Sequence, residues 1–185
     1  MKIVVLTGPE SAGKSTLGKA LAQHFNAPLV SEYVRDFIEQ EQRDTCYADI
    51  STIAEQQLQG ELAARAQRPE LLLLDTHLLS NKLWSEALFA SSPAWIERVL
   101  QEQQYDLIAL LSPDGLPWQA DGQRCQPELA ERQQFHQNLA NWLDAHKQPV
   151  LHLNGSWQAR YNQLEVAISR LLDGQPEEQP HNLCL

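Results

Sequence analysis

The chain has 185 residues, 43% of them hydrophobic, which suits one domain able to bury roughly 70% of its unfolded surface without a covalent staple. Its 24 acidic and 14 basic residues give a formal charge of −10, which repels polyphosphate and excludes a broad nucleic-acid or anionic-lipid surface. Cys46, Cys125 and Cys184 lie far apart with no C-x-x-C pair, so neither a zinc site nor a disulfide framework is expected.

Short apolar runs alternate with longer stretches of helical period, the pattern of parallel strands buried on both faces and joined by crossover helices. The first run, 2–7, predicts a strand; it is too short for a signal core or a membrane span, and a cytoplasmic protein without a membrane anchor is expected. A helix follows from Lys14 to about Phe25. Further strands are predicted at 28–31, 70–75, 105–112 and 149–153. The stretch 47–66 predicts a helix through Ile50, Ile53, Ala54, Leu58, Leu62 and Ala63 at helical spacing. A pair of helices fits within 77–103, another covers 128–146 through Phe135, Leu139 and Leu143, and the last covers 157–172. The expectation is therefore an α/β, three-layer P-loop NTPase fold over 1–172, with a five-stranded parallel sheet and helices on both faces. The Pro-, Gly- and Asp-rich stretch at about 112–128 reads as a mobile lid, and 173–185 as a flexible tail.

Gly8-Pro9-Glu10-Ser11-Ala12-Gly13-Lys14-Ser15 fits G-x-x-x-x-G-K-[ST] between an apolar strand and an amphipathic helix, where a phosphate trap requires it. Gly8 and Gly13 permit backbone conformations that let the N–H groups of Glu10, Ser11, Ala12 and their neighbours curl around a β-phosphate at a helix N-terminus. Lys14 then reaches the β- and γ-phosphates of ATP, Ser15 takes one position around magnesium, and Thr16 meets the α-phosphate. Asp75 ends the run Leu71 to Leu74, which puts its carboxylate at the ligand-binding edge of an open α/β sheet, beside magnesium; capping the next helix is its structural alternative. Thr76 follows Asp75 where motor-type and AAA-type ATPases carry a water-orienting glutamate, which argues for a phosphoryl acceptor other than water. Asn81-Lys82-Leu83-Trp84 lacks the last aspartate of the guanine-reading N-K-x-D motif.

The P-loop, Ser31-Glu32-Tyr33-Val34-Arg35-Asp36, Leu74-Asp75-Thr76 with Lys82 and Trp84, Asp121-Gly122-Gln123-Arg124, Arg132-Gln133-Gln134-Phe135 and Arg160-Tyr161-Asn162-Gln163 together resemble the ribosylnicotinamide kinase domain of the bacterial NAD-biosynthesis regulators. The resemblance spans nearly the whole chain, which is expected to stand here without their adenylyltransferase or DNA-binding portions. It implies transfer of the ATP γ-phosphate to the 5′-hydroxyl of nicotinamide riboside. The family pattern carries an aromatic residue where Ser31 stands and an aspartate where Ala120 stands, so thiamine or another nucleoside is kept as an alternative acceptor, and an ATP-dependent switch as the alternative class.

Within that frame Glu32 is the first candidate base and Asp36 its competitor, with Arg35 between them to hold substrate or orient a carboxylate. A solvated charged helix start is the structural alternative for this stretch. Arg124 in the lid and Arg132 just after it are placed to approach the transferring phosphoryl group, Arg124 foremost. Tyr33 and Trp118 offer rings for stacking on the acceptor, and Asp121 joins the acceptor set. Trp84, Trp95, Trp142 and Trp157 read as core.

Overall fold

The computed structural model describes residues 1–120 and 124–174. Five strands, β1 (Lys2–Thr7), β2 (Leu29–Val30), β3 (Leu71–Asp75), β4 (Leu107–Leu111) and β5 (Val150–Leu153), form one parallel sheet in the order β2-β3-β1-β4-β5. Each strand alternates its side chains between two apolar layers. Val4, Leu6, Leu71, Leu73 and Ala109 face helices α1 (Lys14–His24) and α7 (Trp157–Leu172), while Ile3, Val5, Leu72, Leu74 and Ile108 face the opposite layer. That second layer contains α3 (Ile50–Ala66), α4 (Leu78–Phe89), α5 (Ala94–Glu102) and α6 (Leu129–Ala145). The expected α/β three-layer fold is the fold observed, and among the described residues no helix is long and apolar enough to cross a membrane.

Two local differences from the sequence expectation have physical reasons. The stretch at 33–41, for which a charged helix start is only the structural alternative, is helix α2, Tyr33–Glu41, with Val34, Phe37 and Ile38 on one face and a length short of the roughly 11–18 residues over which a period is read. The predicted helix over 47–66 begins instead as a 3-10 turn, Tyr47–Asp49, before α3. Asp49 fixes that turn by accepting the Cys46 N–H at 2.8 Å and pairing with the Arg43 guanidinium at 2.6 and 2.9 Å. The tail expected over 173–185 falls, beyond Gly174, outside the described residues.

Because β3 and β4 flank β1 on opposite sides, chain connections diverge from β1 and open a crevice at the C-terminal strand ends. Gly8 turns out of β1 there with φ +148°, and a Cβ on it would meet the Leu111 carbonyl oxygen at 2.6 Å. Glycine is thus required both by conformation and by the closeness of β4.

The same end of the sheet is locked by Arg160 of α7, which is 1% exposed. Its guanidinium donates to the carbonyls of Ala12 at 3.0 Å, Ser112 at 2.8 Å and Gly155 at 2.9 Å, and to that of Asp114. One side chain therefore ties the P-loop to the ends of β4 and β5, satisfying buried carbonyls that no ladder reaches. Replacing it leaves those acceptors unpaired, so Arg160→Met should lower the unfolding free energy by about 3 kcal/mol or more in urea titration. A change below about 0.5 kcal/mol would show that the carbonyls find other partners.

Candidate active site

Between β1 and α1 the P-loop carries positive φ at Gly8, Ser11 (57°) and Gly13 (85°), so its peptide planes turn through a concave path. Gly13 is the N-cap of α1, no side chain caps that end, and the first turn holds no acidic residue. The leading N–H groups of the helix are left for an anion, with the helix dipole behind them. Lys14 lies across the loop, its Nζ donating to the Gly8 and Pro9 carbonyls at 3.0 and 2.9 Å. Thr16 donates to the Gly13 carbonyl at 3.0 Å.

Glu32 is the N-cap residue of α2, and its position is set from below: buried Gln57 of α3 accepts the Tyr33 N–H at 2.8 Å. Its carboxylate meets the Arg35 guanidinium at 3.4 Å. Burial raises the Glu32 pKa above its ordinary value of 4.5; Lys14 and Arg35 oppose the rise and the nearby Asp75 carboxylate adds to it. Asp75 is buried at the end of β3, and its Oδ1 has no hydrogen-bond partner among the described residues. Next to it Thr76 adopts φ +73°, a conformation costing a β-branched residue about 1–3 kcal/mol. The bond from the Thr76 hydroxyl to buried Ser80, with Thr7 at 3.4 Å from the same oxygen, holds this kink. His77, also buried, sits edge-on to Tyr105 at 5.2 Å, and burial pushes its pKa down to about 3.

A single cavity of about 410 Å³ runs from the P-loop past Glu32 to a mostly apolar end. The P-loop residues Glu10 to Thr16 line it together with Glu32, Arg35 and Arg124. Asp36, the competitor of Glu32, is exposed on α2 and off the cavity wall. Tyr33 and Asp75 do not line the cavity, though Asp75 is near enough to act on Glu32.

The far wall is formed by side chains that the sequence reading did not select: Asn81, Trp84 and Leu88 of α4, with Phe89, Ile38 and Ile53. Trp84, read as core, does pack against the core, its ring 4.7 Å from that of Phe135, and it also lines the cavity. Its signal was present in the spacing of Asn81, Trp84 and Leu88 at i, i+3 and i+7, one helix face starting just after Asp75. Asp44 and Thr45 close the mouth, and buried Asn81 Oδ1 has no hydrogen-bond partner among the described residues.

In the stretch expected as a lid, Trp118, Gln119, Cys125 and Gln126 bond to the P-loop. Glu10 accepts the Trp118 indole N–H at 2.8 Å, the Gln126 N–H at 2.7 Å and the Cys125 N–H at 3.1 Å. Ser11 accepts the Gln119 N–H at 3.2 Å. Trp118 is thus bound to the loop, off the cavity wall, and not presented to an acceptor ring. Arg132 is 5% exposed and donates to the Gln126 and Pro127 carbonyls at 2.8 and 2.6 Å, so it braces the lid stem away from the cavity. Arg124 lines the cavity and donates to the Gln119 carbonyl. Asp121 lies outside the described residues.

The chain is similar to the trifunctional NAD biosynthesis/regulator protein NadR of Escherichia coli (strain K12), 27% identical over 148 residues that cover 78% of this chain and 36% of the relative. It spans about a third of that protein's length. Among solved structures it superposes on NadR protein in complex with NAD and AMP-PNP, and in complex with NR, each with a TM-score of 0.72 at 20% and 21% identity. Those matches cover 96% and 97% of this chain, and 51% and 53% of the other. Deoxyadenosine kinase from M. mycoides with bound dATP superposes with a TM-score of 0.67 at 12% identity, covering 91% of this chain and all of the other. At such identities these structures share the fold. A family model described as an AAA domain, AAA_28, matches residues 3–160, although Thr76 stands where AAA-type ATPases usually carry glutamate. By that match, and by the P-loop geometry it encloses, the chain belongs to the AAA_28 family of AAA domains.

Proposed function

We propose that this protein is a small-molecule kinase that transfers the γ-phosphate of ATP to the 5′-hydroxyl of a nucleoside-like acceptor, with nicotinamide riboside as the first candidate. The observation that carries this reading is one cavity lined both by the P-loop and by Trp84 and Phe89, with the Glu32 carboxylate, 15% exposed, on its wall. A hydrolase needs no such second compartment. The similarity to NadR, solved with AMP-PNP and with NR, supports the same donor and acceptor.

In this reading the N–H groups of Gly8 to Thr16 hold the triphosphate, and Lys14 leaves the Gly8 and Pro9 carbonyls to bridge its terminal phosphates. Glu32 orients the acceptor hydroxyl and takes its proton as the oxygen attacks phosphorus, while Arg35 steadies the carboxylate. Arg124 offsets charge on the transferring group from the lid side. The Asp75 oxygen, which has no hydrogen-bond partner among the described residues, and the hydroxyl of Ser15 are hard oxygen donors that would help hold magnesium. Magnesium held there would neutralise phosphate oxygens. On the acceptor side, Trp84 and Phe89 offer faces to a flat ring, Asp44 a carboxylate to a cationic one, and Asn81 Oδ1 an acceptor for a hydroxyl.

Product mass spectrometry with ATP and a panel of nicotinamide riboside, thiamine and common nucleosides tests the reading directly. A phosphorylated acceptor is expected; slow ATP hydrolysis unaffected by every acceptor would mark a switch instead. Lys14→Ala should lower kcat/KM by on the order of 10³ in the same assay. Glu32→Gln should lower kcat by roughly 10²–10⁴ with little change in ATP affinity. Because the raised pKa of Glu32 delays its ionisation, the wild-type rate should rise with pH through a limb above 4.5, and that limb should vanish in Glu32→Gln. Asp75→Asn should raise the magnesium concentration for half-maximal activity by about 10-fold or more.

A further inference from the structure

We propose that Glu10 is a positioning residue whose carboxylate clasps the segment after β4 onto the P-loop and thereby sets where Arg124 stands. An acidic side chain inside a phosphate-binding loop is unfavourable for a polyanion unless its charge is engaged elsewhere. Here both carboxylate oxygens are engaged: Oε1 accepts from Trp118 Nε1 and the Gln126 N–H, and Oε2 from the Cys125 N–H. These donors are more than 100 residues away in sequence, so the bonds join two separate parts of the chain. Glu10 is 9% exposed, and its three N–H donors direct the carboxylate at fixed partners rather than at a bound phosphate.

The clasp reaches the chemistry through the backbone. Cys125 directly follows Arg124, so the carboxylate pins the peptide unit beside the arginine that lines the phosphate end of the cavity. On the other flank the Gln119 N–H binds Ser11, and the Gln119 carbonyl receives the Arg124 guanidinium. Arg124 is thereby held at its backbone by Glu10 and at its tip by a residue docked on Ser11. Glu10 touches no reacting atom in this arrangement; it acts through Arg124 and by keeping the segment shut over the loop.

The kinetic consequence rests on the kinase reading, whereas the clasp itself does not, and the experiment separates them. Hydrogen exchange of the intact, nucleotide-free protein should show the Cys125 and Gln126 amides protected, with protection falling on the order of tenfold in Glu10→Ala and no change in α3. Equal exchange of those amides in wild type and variant would overturn the clasp. Trp118→Phe keeps the ring and removes one donor, so it serves if Glu10→Ala fails to fold. In turnover, Glu10→Ala and Trp118→Phe should each lower kcat on the order of tenfold and raise the ratio of ATP hydrolysis to transfer, with any change in ATP Kd no larger in Glu10→Ala than in Trp118→Phe. The double variant should be no worse than Glu10→Ala alone. Loss of ATP binding in Glu10→Ala beside a silent Trp118→Phe would make Glu10 a nucleotide ligand and refute the proposal. Should wild type phosphorylate no acceptor, the kinase reading falls, and the exchange result still decides the clasp.

Discussion

A loop that turns its N–H groups inward to hold phosphate must have its outward carbonyls and its flanks held by the rest of the protein. That requirement organises the crevice end of the sheet. Gly8 lets the chain leave β1 in contact with the Leu111 carbonyl, where any Cβ would collide. Arg160 then gathers the carbonyls of Ala12, Ser112, Asp114 and Gly155 around one buried guanidinium, so loop, strand end and last helix move as a unit. A lysine could not do this, because its ammonium lacks the planar fork that spreads donors over four separate acceptors.

Charge is arranged along the cavity rather than spread over the surface. The chain as a whole is acidic, yet Lys14, Arg35 and Arg124 all line the cavity, the first two close to Glu32, which also senses Asp75. Burial and the nearby Asp75 carboxylate push Glu32 toward its neutral form while Lys14 and Arg35 pull it back. Such a balance leaves Glu32 able to exchange a proton, which a fully solvated glutamate does poorly at neutral pH. Past Glu32 the lining turns apolar and aromatic, so polarity along the cavity falls from a triphosphate-like end to a ring-like end.

The sheet was legible because each strand is a short apolar run bounded by turn residues, and the P-loop because its spacing encodes a backbone shape. Glu32 was also legible, since one motif placed it just beyond β2. The acceptor wall was not: Trp84 carries the same apolar signal whether it faces a core or a cavity, and only the packing of α4 against α6 decides which side stays open. Helix α2 was legible only as a possible helix start, because its nine residues fall short of the roughly 11–18 over which a period is read. The same limit explains Trp118 and Arg132. Composition marks the segment around them as a lid, but their partners, Glu10 and the Gln126 and Pro127 carbonyls, depend on how that segment folds back.

The account stands on the P-loop and the aromatic pocket serving one reaction across Glu32. A crystal structure of the ternary complex with AMP-PNP, magnesium and nicotinamide riboside tests it most directly. The triphosphate should lie on Gly8 to Thr16, with the ribose 5′-hydroxyl within about 3 Å of the Glu32 carboxylate and in line with the γ-phosphorus. A nucleotide seated away from the P-loop, or a riboside bound with its 5′-hydroxyl turned from Glu32, would contradict it.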